Sequence, residues 1–148
     1  MAKQHELYIA FNISPANTLA KHYPLHLVDM FILNRNEAKI LLHQTNPDKI
    51  YASLLEFNPN ACLVFTMGEL GARFYEPNRC TTVKAYPTKP VDTTACSDTF
   101  VGYFLANWIE QQSIDICLNM AAKASALSIA KAGAATSIPF NLEVESAY

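Results

Sequence analysis

The segment VDTTACSDTFVGYFLA, residues 91–106, sets small and polar side chains directly before an apolar stretch of helical spacing. Small residues at Ala95, Cys96 and Ser97 let a backbone come close to a ligand, and the helix that follows turns its free N–H groups into the same space. Those amides and the positive end of the helix dipole attract an anion, often phosphate. Asp98 lies beside that position. A carboxylate there can take the proton of a hydroxyl that attacks a phosphate, the task of a general base in phosphoryl transfer. On spacing alone, Asp98 reads first as an acid that favours the helix dipole.

Other polar turns hold residues of the same kind. Asn34 and Glu37 in NRNE read as a helix cap and its partner three residues on. Gly68 and Gly71, after Thr66 in TMGELG, suit a hairpin turn. Ser137 precedes Ile138-Pro139 and alone reads as a loop residue. Asn34, Gly68 and Thr94 each follow a strand candidate, so three turns are expected to converge at one edge of a sheet, where α/β proteins bind ligands.

The elements that must hold these turns alternate along the chain. LYIAF (7–11), VDMFIL (28–33) and ACLVFT (61–66) are short apolar runs with strand character, and LYIAF reads as buried on both faces. ARFYE (72–76) reads as an antiparallel strand after the glycine turn, and CTTVKAYP adds a further strand candidate. NRNEAKILLHQ has helical spacing at Ala38, Leu41 and Leu42. NPDKIYASLLEF begins with Asn46 as cap and Pro47 at the first helical position. After Asp98 one helix places Val101, Phe104, Leu105 and Trp108 on one face, and a second runs from a Ser113 cap to Gly133. Strands alternating with helices predict an α/β domain of three layers with a mostly parallel sheet.

Composition narrows the classes. The chain has 148 residues, 51% hydrophobic and 16% charged, enough for one domain with a core. A net charge of −2 without a Lys/Arg cluster gives no reason to expect nucleic acid. Cys62, Cys80, Cys96 and Cys117 are far apart and form no C-x-x-C pair, so free thiols in a reducing compartment are expected. No secretory signal is visible and no apolar run would span a bilayer. The expectation is a cytoplasmic protein with no membrane partner.

Taken together, the turns resemble the ribokinase, or phosphofructokinase-B type, carbohydrate kinases. The family's D-T-x-G-A-G-D signature stands here as Asp92-Thr93-Thr94-Ala95-Cys96-Ser97-Asp98, its N-x-x-E as Asn34-Arg35-Asn36-Glu37, its T-x-G-x-x-G as Thr66-Met67-Gly68-Glu69-Leu70-Gly71, and its G-A-x-x-S-x-P as Gly133-Ala134-Ala135-Thr136-Ser137-Ile138-Pro139. The resemblance covers essentially the whole chain. It implies a Rossmann-like ribokinase fold, truncated, with a C-terminal antiparallel part to the sheet. It also implies an ATP- and magnesium-dependent sugar kinase. Asp98 matches the base. Ala95, Cys96 and Ser97 match the anion hole. Asn34 and Glu37 match the pair that organises magnesium, Glu37 acting through water. Thr66, Gly68 and Gly71 match nucleotide contacts, and Gly133 matches the wall beside adenine. Asp92, Thr94 and Ser137 match the surroundings of a monovalent cation, usually potassium, in members that have one.

Two departures stand out. Cys96 and Ser97 replace the family's small pair. If φ is positive at Ser97, its Cβ costs on the order of 1 kcal/mol, while its hydroxyl can donate to a phosphate oxygen. Cys96 at a helix N-terminus is either an oxidisable thiol or an inert small residue. Ala122 stands where many relatives have His or Asn near adenine. Secondly, the family's earlier motifs do not occur. Residues 1–148 are therefore expected to form a single domain, the nucleotide-binding and catalytic half, without the sugar-binding half and its lid. Sugar binding would then need the missing half, and the exposed start of the sheet predicts a homo-oligomer or a complementing N-terminal chain. The other reading is a non-catalytic remnant or a nucleotide-binding subunit.

Overall fold

The computed structural model describes residues 2–148; Met1, the first residue of the expected domain, lies outside them. The chain divides into two compact units. The first comprises residues up to Met67 together with Arg73–Cys80, the second Gly68–Ala72 together with Thr81–Tyr148.

Strands β1 (Ala10–Asn12), β2 (Met30–Asn34), β3 (Cys62–Thr66), β4 (Ala72–Glu76) and β5 (Arg79–Val83) form one sheet in chain order. β1, β2 and β3 are parallel, with Ile32 opposite Val64 and Asn34 opposite Thr66. Five residues join β3 to the neighbouring β4. A parallel crossover needs a dozen or more, so this pair is antiparallel. Only Pro77 and Asn78 join β4 to β5, and Asn78 takes the left-handed φ of 65° that a two-residue hairpin turn requires. The sheet is thus mixed: parallel first, antiparallel after, as expected.

In the first unit, Met30, Phe31, Ile32 and Leu33 of β2 are all 3% exposed or less, which is why the run has no polar alternation. Helices α1 (Arg35–Leu42) and α2 (Pro47–Phe57) connect β2 to β3. They pack Ala38, Leu41, Ile50 and Leu54 onto Phe31, Leu33, Leu63 and Phe65. Burying each of the large side chains is worth roughly 1.5–3 kcal/mol. Asn46 caps α2 as expected, its Oδ1 accepting from the amides of Asp48 and Lys49.

The second unit is built on α3 (Cys96–Ile109) and α4 (Ile114–Ile129), which pack on each other through Phe100 and Phe104 and through Cys117, Leu118, Ala121 and Ala124. The segment before α3 follows α4 in steps: the Tyr86 hydroxyl meets Asn119, the Thr88 hydroxyl donates to the Ala126 carbonyl, and the amides of Val91 and Asp92 donate to the Ile129 carbonyl. A short α5 (Asn141–Ser146) buries Val144.

Three sequence expectations shift. The strand expected at 7–11 begins only at Ala10, and Leu7 and Tyr8 are exposed instead of buried. Glu6, with φ 53°, turns the chain there, and pairing starts where Ile9 bonds the backbone of Asp29 and Met30. α4 stops at Ile129, before Gly133, because residues 91–92 occupy its last carbonyl. On α3 the buried face centres on Thr99, Phe100 and Phe104, with Val101, Leu105 and Trp108 half-buried. The helix is apolar almost all round, so its periodicity could not select the inner face. All four cysteines are free. Among the described residues, no helix is long and apolar enough to cross a membrane.

Candidate active site

The turn before α3 is held by Asp92. Its Oδ1 accepts the Thr94 amide at 2.9 Å and its Oδ2 the Gly133 amide at 3.0 Å. Bonds from the Thr94 side chain, the Gly133 amide and the Thr94 amide, in that order, hold the carboxyl down at about 2. The Cys96 amide closes back on the Thr93 carbonyl at 3.2 Å, and the Thr99 amide makes the first full helical bond, to the Ala95 carbonyl at 2.8 Å. Between them the amides of Ser97 and Asp98 have no acceptor among the described residues. The N-cap is Ala95, with φ 61° and ψ 2°, and it offers no side-chain cap. Two unpaired amides, an uncapped helix end and the exposed carboxylate of Asp98 thus stand together, an arrangement able to hold an anion beside a base.

Ser97 lies inside α3 and is not among the residues of positive φ; the left-handed position falls on Ala95. The strain expected at Ser97 is therefore absent. The Cys96 thiol lies 3.0 Å from the Ser125 hydroxyl, which donates to the Cys96 carbonyl.

Ser137 is fully buried, and its hydroxyl bonds the Ala134 carbonyl at 2.8 Å. It also lies 3.0 Å from the Ser128 hydroxyl, which in turn meets Thr99 at 3.3 Å. This row of hydroxyls links the loop after α4 to the first turn of α3, one residue from Asp98. Thr99 and Ser128 escaped the sequence reading; the available signal was two small polar side chains on the inner faces of otherwise apolar helices.

In the first unit, Asn34 and Thr66 end β2 and β3 side by side. Asn34 Oδ1 accepts the amides of Asn36 and Glu37 at 2.9 and 3.0 Å, and Glu37 Oε2 accepts the Asn34 amide at 2.7 Å. This is the reciprocal box anticipated for NRNE. Glu37 is nearly buried; desolvation pushes its carboxyl up, against the Asn34 bonds that lower it. Asn34, Glu37 and Thr66 are thus brought together at the carboxyl ends of two parallel strands, where α/β sheets bind ligands. Asp92, Thr94, Ala95, Cys96, Ser97, Asp98, Gly133 and Ser137 are gathered within the second unit, to which Gly68 and Gly71 also belong. Gly68 and Gly71 both have positive φ. Among the described residues, no three His, Cys, Asp or Glu side chains gather to hold a metal ion directly.

The sequence model of the pfkB family carbohydrate kinases matches residues 1–141. A ribokinase from Schizosaccharomyces pombe is 34% identical over 156 residues, covering 100% of this chain and 49% of that protein. The structure of Arabidopsis thaliana ribokinase complexed with ribose and ATP superposes with a TM-score of 0.87 at 21% identity, over 97% of this chain and 48% of that one. An Escherichia coli chain in complex with ATP and Mg2+ gives 0.86 at 24% identity, over 97% and 49%. The chain spans about half the length of the curated relatives it matches.

Proposed function

The chain belongs to the pfkB family of carbohydrate kinases, and from that premise we propose that it is the nucleotide-binding and catalytic portion of a sugar kinase, occupying residues 1–148 as one domain. The observation that carries this reading is the uncapped start of α3, with the amides of Ser97 and Asp98 unpaired beside the Asp98 carboxylate. Asp98 accepts the proton of the attacking sugar hydroxyl. The amides at 95–98 hold the charge that develops on the transferring group, and Asp92 fixes the turn that presents them. Asn34 and Glu37, braced against each other, orient magnesium through water, and Thr66, Gly68, Gly71 and Gly133 border the nucleotide. When bound, ATP supplies the phosphoryl group and magnesium offsets phosphate charge. That neighbours are named as complexes with ATP, ATP and Mg2+, or ribose and ATP supports these ligands. A potassium ion near Asp92, Thr94 and Ser137 completes the proposal. Sugar recognition is assigned to polypeptide beyond the span matched here, and the cytoplasm is the compartment where ATP is available.

The test is Asp98→Asn in the protein assembled with its sugar-binding part. Phosphorylation of the sugar should fall by at least a thousandfold, with ATP affinity by calorimetry changed less than threefold. Unchanged turnover would remove Asp98 from the role. ATP binding without turnover in the unsubstituted assembly would favour a nucleotide-binding subunit, and no ATP binding a non-catalytic remnant.

A further inference from the structure

We propose that Ser125 and Ser128 of α4 are positioning residues: their hydroxyls lock the first turn of α3 in register against α4, and that register aims the Ser97 and Asp98 amides and the Asp98 carboxylate. The part that concerns turnover rests on the reading of Asp98 as base; the lock itself does not. Its contacts fall in matched pairs. Cys96 and Thr99 are three residues apart on α3, Ser125 and Ser128 three apart on α4, so each pair shares one face of its helix. The Cys96 thiol lies 3.0 Å from the Ser125 hydroxyl, which donates to the Cys96 carbonyl at 3.2 Å. The Thr99 hydroxyl lies 3.3 Å from that of Ser128. Ser97 and Asp98, both exposed, are the two residues between these clamps.

A hydroxyl has one proton to donate, and counting protons gives each contact its direction. Ser137 spends its own on the Ala134 carbonyl, so Ser128 donates to Ser137 and Thr99 to Ser128. Ser125 spends its own on the Cys96 carbonyl, so the thiol donates to Ser125. Both runs end on a backbone carbonyl, which takes up no proton, and neither can relay one away from Asp98. Their use is geometric. The need for it lies in the cap: a Ser or Asp at the N-cap would accept from the second or third amide of the helix. In α3 those are the amides of Ser97 and Asp98, which Ala95 leaves open. With the local cap forgone, the helix start is held from its other side. Apolar packing is non-directional, and Ala121 and Ala124 give α4 little relief there, whereas a hydrogen bond weakens steeply off its geometry. Of the four buried polar or charged side chains among the described residues, Thr99, Ser128 and Ser137 are three, so polarity in the interior is concentrated at this one place.

The lock is tested on the full chain by nitrogen relaxation. In Ser125→Ala with Ser128→Ala, the order parameters of the Ser97 and Asp98 amides should fall from about 0.85 towards 0.6. Leu118→Val, which trims the same α3–α4 interface and lowers the melting temperature without touching the hydroxyls, should leave them near 0.85. Thr99→Ser should keep the amides ordered and Thr99→Val should loosen them; this pair carries the test if the double variant does not fold. In the assembly with the sugar-binding part, the double variant should lose about tenfold or more in kcat, with KM for ATP and sugar changed less than threefold and the midpoint of the pH profile unmoved. The proposal is overturned if the two amides stay ordered, if Leu118→Val loosens them equally, or if kcat holds in an assembly where Asp98→Asn abolishes turnover. A shifted pH midpoint would also overturn it, in favour of a proton relay. Loosened amides beside an inert Asp98→Asn would establish the lock and remove only the catalytic reading of Asp98.

Discussion

Ala95 occupies the one position in the DTTACSD turn that a glycine would enter freely, at φ 61°. A side chain there costs about 1–2 kcal/mol, partly offset because alanine restricts the unfolded chain more than glycine does. Ala95→Gly should therefore stabilise the protein by about 0.5–1 kcal/mol net, read as a higher urea midpoint at unchanged slope. A lower midpoint would show that the turn does not carry this strain. The sequence displayed the right motif but not its φ angles. It placed the steric question at Ser97, because the start of α3 had to be known before left-handed and helical positions could be told apart. Glu37 was read correctly as the partner of Asn34. Its near burial was not readable, since that depends on how the sheet end and α1 enclose it.

The β3–β4 turn shows the same division at the level of elements. Gly68 and Gly71 look alike in TMGELG, and both have positive φ, 59° and 91°. A Cβ at Gly68 meets nothing, whereas at Gly71 it collides with the backbone of Val83, Lys84 and Ala85. Gly68→Ala should cost about 1 kcal/mol, the conformational penalty alone. Gly71→Ala adds displacement of the chain at the end of β5, and should cost about 2–4 kcal/mol. Thermal unfolding of the two variants separates these expectations; equal losses would mean that the backbone approach at Gly71 is unimportant. Element type was legible wherever apolar runs were bounded by turn residues, as in β2, β3 and α2. Element ends were not, because they are fixed by distant partners: Ile9 with Asp29 for β1, and residues 91–92 for α4.

At the scale of the molecule, β1 is the first strand of the sheet and, among the described residues, has a paired neighbour on one side. Exposed Leu7 and Tyr8 precede it, so backbone groups and apolar surface lie open together. Self-association or pairing with a complementing chain is the expected outcome in light scattering after size exclusion. A monodisperse monomer would count against it. The motifs reached this scale well, since their order and spacing pointed to the family whose sequence model matches residues 1–141. What they could not show was the buried row of Thr99, Ser128 and Ser137, whose members come from α3, α4 and the loop after α4.

The Asp92 contacts make α3 and α4 the body of a closed loop of chain. Asp92 and Gly133 lie 41 residues apart, and the Asp92 carboxylate fastens the two ends together with the bonds of the Val91 and Asp92 amides to the Ile129 carbonyl. Forming such a ring forfeits chain entropy that its clasp must offset. The clasp is protonatable: its hydrogen bonds hold the Asp92 carboxyl down at about 2, below the ordinary carboxylate value of 3.8. Its contribution is complete above about pH 4 and is lost as the pH falls through about 2. The protection factors of the Thr94 and Gly133 amides, taken against the intrinsic exchange rate at each pH, should fall together across that window, while Phe104 in mid-helix stays protected; independent changes at the two amides would mean two separate anchors. If they move together, a proton on one side chain loosens both the turn before α3 and the loop after α4, and acid acts on this protein as a latch release.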